Sequence, residues 1–147
     1  MSARLRKSEV RELDEELPIT LSKKDVVVRE GDALLINGRL SFIFLADSWV
    51  PALPLLLERE DLLPQVVVDM GAVKFVANGA DIMRPGIVEV PDCEEGSFVV
   101  VVDERNRKPL GVGRAKFSGA EMRLMSSGNV VESLHFVGDE YWKKYSN

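Results

Sequence analysis

The 147-residue sequence predicts an α+β chain in two parts, a small α/β unit followed by a mostly β barrel or sandwich. Three observations predict it. Asn37-Gly38 lies between two apolar segments, a strong signal for a two-residue hairpin because both positions tolerate positive φ. Pro51 and Pro54 confine the leucine-rich stretch that follows to a short helix starting near Pro54. From Gln65 onward, short valine-rich runs alternate with turn signals, the pattern of a small barrel or sandwich.

The elements follow in order. Arg4 to Glu16 is charged, with Leu5, Val10 and Leu13 as sparse apolar contacts, and reads as a surface helix or arm. Val26 to Val28 form a strand, Gly31-Asp32 a turn, and Ala33–Ile36 and Arg39–Leu45 an antiparallel pair. Leu53, Leu55, Leu56 and Leu57 line one face of the short helix, which ends in the charged run 58–61. Leu62-Leu63-Pro64-Gln65 then connects two units, expected at residues 1–66 and 67–147.

In the second unit, Gly71 to Ala77 can form two helical turns with Val73 and Val76 on the buried side. Asn78-Gly79 stops that helix, since either residue can take the left-handed conformation. Ile82-Met83 begins a strand and Arg84-Pro85-Gly86 forces a reversal. "IVEV", "SFVVVVDE", "LGVGRAKF" and "VVESLHFVG" are strands. Ser118 and Glu121 have capping-box spacing and open a helix through Met125 that stops at Gly128. "DEYWKKY" is a terminal turn or helix.

Composition excludes several chemistries. Cys93 is the only cysteine and His135 the only histidine, so neither a disulfide nor a metal site of several His or Cys can be built. His135 sits in an apolar strand pattern, where histidine is structural more often than catalytic. "GVG" at 111–113 lacks the third glycine and the following helix of a nucleotide loop, and strand glycines mark bulges or close backbone approach. No enzyme and no cofactor are expected. The basic start "MSARLRKSEV" has no apolar core, and the run "WVPALPLLL" is too short to span a bilayer. A cytoplasmic protein without membrane partners is expected.

Net charge is −5, which argues against coating nucleic acid by bulk charge but not against a local basic face. Arg105, Arg107, Lys108, Arg114, Lys116 and Arg123 face one acid, Glu121, over 105–123. They read either as a solvated hairpin with ordinary surface charge or as a phosphate-contacting ridge. Arg114 and Lys116, two apart, should share a sheet face opposite Ala115 and Phe117.

"GAVKFVANGADIMRPGI" resembles the signature of the PUA domain, the RNA-binding module of pseudouridine synthases and archaeosine transglycosylases. The shared elements are Gly71-Ala72, Gly79-Ala80 and Pro85-Gly86 followed by an aliphatic residue. The preceding "LLINGRLSFIF…WVPALPLLL…LLPQVVVDMGAVKFV" is similar to the pre-PUA segment of the malignant T-cell-amplified-sequence family and its archaeal relatives. The resemblance implies a small α/β pre-PUA domain packed on a PUA pseudobarrel. It implies a non-catalytic RNA-binding role in translation, with tRNA or small-subunit rRNA as ligand and an initiation-factor-like protein as candidate partner. DNA binding is not expected. Carried over by position, it selects Lys74, Gly79, Ala80, Asp81, Met83 and Arg84 as the RNA surface, with Lys74 and Arg84 on phosphate. On that reading Arg84→Ala weakens RNA binding and leaves thermal stability nearly unchanged. Arg114 and Lys116 join the surface through the charge argument alone. The alternatives are an accessory subunit of a tRNA or rRNA modification enzyme, and a protein-interaction module using the acidic first unit.

Overall fold

A continuous valine run in a strand puts apolar side chains on both faces, so its sheet must be covered on both sides. The computed structural model describes residues 2–145; the expected unit ends at residues 1, 146 and 147 lie outside them. The chain runs β1 (Ser2–Arg4), α1 (Lys7–Glu16), β2 (Val27–Glu30), β3 (Ala33–Ile36), β4 (Arg39–Leu45), β5 (Ser48–Pro51) and α2 (Leu53–Leu56). It continues with β6 (Gln65–Val68), α3 (Met70–Val76), β7 (Ile82–Met83), a 3-10 turn (Arg84–Gly86) and β8 (Ile87–Glu89). β9 (Phe98–Asp103), β10 (Pro109–Ala115), α4 (Gly119–Leu124), β11 (Asn129–Phe136) and α5 (Glu140–Tyr145) complete it. The architecture is α+β, with one sheet ordered β1-β2-β3-β4-β5 and the other β7-β11-β10-β9-β6-β8.

The valine runs do what their pattern requires. Val66, Val68, Val99 and Val101 enter one core with Val76 of α3, Met122 of α4 and Val131 of β11. Their neighbours Val67, Val100 and Val102 enter a second core with Val50, Leu53 and Leu56. β6 pairs parallel with β9, which places both runs side by side. The second sheet is therefore a wall shared by both halves of the chain.

The first sheet is an antiparallel meander. Asn37 and Gly38 have φ of 54° and 82°, as a two-residue hairpin with matching twist demands, and β3 and β4 pair where expected. Two early expectations shift. Residues 2–4 pair with β2 as a strand, so the first helix starts at Lys7 rather than Arg4. The second helix closes at Leu56, before the charged run 58–61. Leu13 and Leu17 pack with Val27, Leu34 and Phe42 on one face of this sheet. Its opposite face, with Ala33, Leu40 and Ile43, is covered by Tyr141 and Tyr145 of α5. The C-terminal helix thus completes the core of the N-terminal sheet.

His135 ties the two sheets together. It is 1% exposed, and its Nε2 accepts the Leu53 N–H at 3.2 Å. Since that backbone group can only donate, the imidazole proton lies on Nδ1 and is donated to Asp139 Oδ2 at 2.7 Å. Burial alone would raise the Asp139 pKa, but bonds from His135 and from the Trp142 and Phe136 N–H groups outweigh it and hold the carboxyl below the usual range. The same carboxylate caps the start of α5.

The second sheet must also curl. Its two edges, β7 and β8, are separated by the three-residue turn Arg84–Gly86. Six flat strands would hold those edges about 24 Å apart, whereas the four peptide steps from Met83 to Ile87 reach at most about 14 Å. A half-barrel results. Arg84 latches the closure: its Nε donates to Met122 O at 2.6 Å and its Nη1 to Ile87 O at 3.0 Å.

Two stability predictions follow from these ties. Arg84→Ala lowers unfolding free energy by about 2 kcal/mol, because two charge-assisted bonds to backbone carbonyls are lost. Equilibrium urea unfolding reads this, and a loss under about 0.5 kcal/mol would show the latch to be dispensable. His135→Ala costs about 3 kcal/mol, from an orphaned Leu53 N–H plus a cavity at the junction of the sheets. Calorimetry of the same pair of proteins would contradict this by showing overlapping transitions.

Candidate functional site

The site is built around α3. Asp69 begins it: the carboxylate accepts the Ala72 N–H at 2.8 Å, satisfying a free amide of the first turn. Val76 turns into the core, while Lys74 and Phe75 face solvent. The helix ends when Gly79 N–H bonds Val76 O and Ala80 N–H bonds Phe75 O, both at 3.0 Å, the paired closure of a Schellman motif. Gly79 is required there twice over. Its φ is +82°, and a Cβ would come within 2.7 Å of the Phe136 ring.

The chain then folds back along the helix. Asp81 accepts from Asn129 Nδ2 and from the Ser133 N–H, each at 2.8 Å, which pins this segment to β11. The Asn129 bond first, then the Ser133 N–H and the Lys116 charge, lower its pKa below the usual aspartate value. Gly86 returns to the start of α3: its carbonyl accepts the Asp69 N–H at 2.9 Å. A Cβ on Gly86 would stand 3.1 Å from the Ala72 Cβ, so the turn lies flush against the helix.

Between α3 and residues 80–86 is a groove of about 430 Å³, lined by Ala72, Phe75, Ala80, Met83 and Pro85 among others. Phe75 is 56% exposed and Met83 50%, large apolar groups left in water at its mouth. Lys74 Nζ sits 5.2 Å from the Phe75 ring centroid, adding a cation beside the aromatic face. A flat ring, a polarisable thioether, a cation and an open backbone suit a planar, negatively charged ligand.

The eight expected residues divide. Ala80, Asp81 and Met83 line the groove, Gly79 shapes its end, and Lys74 stands beside Phe75. Arg84 does not line it; its Nε and Nη1 donate to two carbonyls, a structural tie that gives its removal an expected stability cost beside any effect on binding. Asp81 contributes a wall, with both carboxylate oxygens committed inward. Arg114 lies elsewhere: its Nε donates to Gly96 O at 3.0 Å with its guanidinium over Phe98. Lys116, just past the end of β10, does not line the groove, though its charge reaches Asp81. Two other members of the basic run are paired, Arg107 with Glu89 and Arg123 with Asp92. Phe75 was missed. The available signal was an aromatic residue on the solvent side of a helix whose buried side is Val73 and Val76.

Comparison with known proteins agrees with the fold. The PUA domain family model matches residues 64–137. The MJ1432 protein of Methanocaldococcus jannaschii is 35% identical over 94% of the chain and 93% of its own length. Translation machinery-associated protein 20 of Schizosaccharomyces pombe is 38% identical over 64% of the chain, which spans 55% of that protein. Malignant T-cell-amplified sequence 1 of Danio rerio is 32% identical over 88% of the chain and 77% of its length. In structure, the PH0734.1 protein of Pyrococcus horikoshii superposes with a TM-score of 0.86 at 32% identity, covering 99% of the chain and all of its own. A chain of the archaeal box H/ACA sRNP Nop10–Cbf5 complex matches 55% of this chain and 26% of its own, with a TM-score of 0.50 at 28% identity. A PUA domain behind an N-terminal sheet, matched over 94% of the chain by the Methanocaldococcus protein and over 88% by the Danio protein, means that the chain belongs to the PUA-domain family that includes the malignant T-cell-amplified-sequence proteins.

Proposed function

We propose that the chain is a non-enzymatic, cytoplasmic RNA-binding protein acting in translation, which holds an unpaired nucleotide of tRNA or small-subunit rRNA in the α3 groove. The observation that carries this reading is Phe75, an aromatic ring more than half exposed at the mouth of an apolar groove, with Lys74 beside it. Single-stranded RNA is recognised by stacking unpaired bases on such rings while nearby cations meet the phosphates. Ala80 and Met83 shape the opposite wall, Gly79 lets the loop pass close, and Lys74 takes a phosphate. Arg84 and Asp81 act indirectly, by holding the loop that forms that wall. The names of the yeast relatives support a place in the translation machinery. Both nitrogens of His135 are engaged, which supports a binding rather than a catalytic role. We place RNA contact in the 67–147 unit and a candidate initiation-factor-like protein partner against the 1–66 unit.

The likeness to a chain of the box H/ACA complex favours a second reading, an accessory subunit that brings RNA to a modification enzyme. Affinity purification from native cell extract separates the two: ribosomal subunits co-purify on the first, a modifying enzyme on the second.

Binding itself is testable by fluorescence anisotropy with labelled unfractionated tRNA. Phe75→Ala is expected to weaken binding about tenfold or more, the loss of one stacked base, with an unchanged thermal midpoint because the ring is exposed. Equal affinity in wild type and Phe75→Ala would remove the groove from the interface. Lys74→Gln is expected to weaken binding of all RNAs alike and to lower the salt slope by about 1; an unchanged slope would mean that Lys74 meets no phosphate.

A further inference from the structure

The N-terminal unit carries a second cleft, of about 480 Å³, between β1, α1 and the loop at residues 21–25. Four cations line it: Arg4 from β1, Lys7 and Arg11 from α1, and Lys23 from the loop. Lys7 and Arg11 are four residues apart, so they stand on one face of the helix. All four are exposed, and none makes a salt bridge or side-chain hydrogen bond among the described residues. Arg6, Arg39, Arg59, Arg107 and Arg123, by contrast, each have a carboxylate partner, and the four are brought together by their convergence on one cleft.

The cleft's two acids are occupied. Asp14 accepts the Leu21 N–H at 2.7 Å, and Asp25 accepts the Ser22 N–H at 2.8 Å and Asn37 Nδ2 at 2.9 Å. These bonds fold the loop back on α1 and hold the walls in place. They also direct both carboxylates at fixed donors; the two acids keep their charge, and the four cations outnumber them in the lining.

We infer that this cleft is a second RNA contact, which takes the phosphodiester backbone rather than a base. The inference rests on the RNA reading proposed above. The floor decides which anion fits. Leu5, Val10 and Leu21 are half-buried against the core of the first sheet, and no strongly exposed apolar side chain lies in the cleft. An acidic peptide would find no exposed aromatic or other large apolar side chain to anchor on. A phosphate backbone needs none, since its affinity comes from counterions released as cations pair with phosphates. The α3 groove, with its exposed ring and few charges, has the opposite character. The base goes to the α3 groove, with one phosphate on Lys74, and a further stretch of backbone goes to the cleft.

The test is tRNA binding by anisotropy over a range of salt, with four proteins in parallel: wild type, Lys7→Gln/Arg11→Gln, Arg4→Gln/Lys23→Gln and Phe75→Ala. Each cationic pair comes from different surface elements, so a folding defect in one leaves the other informative, and circular dichroism melts monitor both. Each pair is expected to weaken binding about tenfold at low salt and to reduce the slope of log K against log[salt] by about 2. Phe75→Ala is expected to lower affinity with its slope kept. Wild-type slopes in both folded cationic variants, alongside weakened Phe75→Ala, overturn the second contact and leave the groove standing. No tRNA binding by wild type overturns the RNA reading and this inference together. Poly-glutamate binding that both cationic pairs abolish, with tRNA binding untouched, overturns the inference in favour of an acidic protein partner.

Discussion

The second sheet's two edges are joined by three residues, and the α3 groove depends on that short connection. Because the turn Arg84–Gly86 must bridge β7 and β8, the sheet cannot stay open. Closing it brings the turn against the first residues of α3, where Gly86 O meets the Asp69 N–H and the Gly86 backbone meets Ala72. The groove is the space left between a helix and the strand edge that the closure lays beside it. Pro85 and Gly86 give the reversal its shape, and Arg84 fixes it by binding a carbonyl on either side, one in α4 and one in β8. A cation in a glycine-bounded loop therefore shapes the loop from within the fold.

A second constraint couples this half-barrel to the rest of the chain. Strands β6 and β9 bury valines on both faces, so neither half of the molecule has a complete core alone. His135 reinforces the junction by accepting from α2 while donating to Asp139, which starts the helix that covers the N-terminal sheet. Tyr145 and Lys144 then reach Glu30 of β2, both at 2.9 Å. The last helix of the second unit is thus held by the first. Any load placed on the N-terminal cleft is transmitted to the barrel through packed contacts rather than a flexible linker.

How much of this was legible in the sequence depends on the range of the forces involved. The Asn37-Gly38 hairpin, the Gly79 helix stop and the Ser118 start of α4 are local, set by backbone chemistry within six residues, and they occur where expected. The bulge and close backbone approach in "GVG" were legible for the same reason: a Cβ on Gly113 would fall 2.6 Å from Glu132 O. Arg84 and Asp81 were not, because their partners lie 38 and 48 residues away, and residue type alone cannot distinguish a charge offered to a ligand from one spent inside the fold. Phe75 shows the converse. Its place on the helix, opposite Val73 and Val76, already excluded the ring from the core.

On the proposed reading, the two clefts account for how an acidic chain would hold an anionic polymer. Stacking on a ring contributes about 1–3 kcal/mol per base and depends little on salt, so it does not need a basic surface. Counterion release needs cations that are exposed and uncommitted, and total charge says nothing about how many there are. In this chain several arginines are neutralised by neighbouring carboxylates, while the four around α1 are not. The net charge of −5 averages these two populations and hides both. What governs binding is the pairing state of each cation, which is a property of the fold.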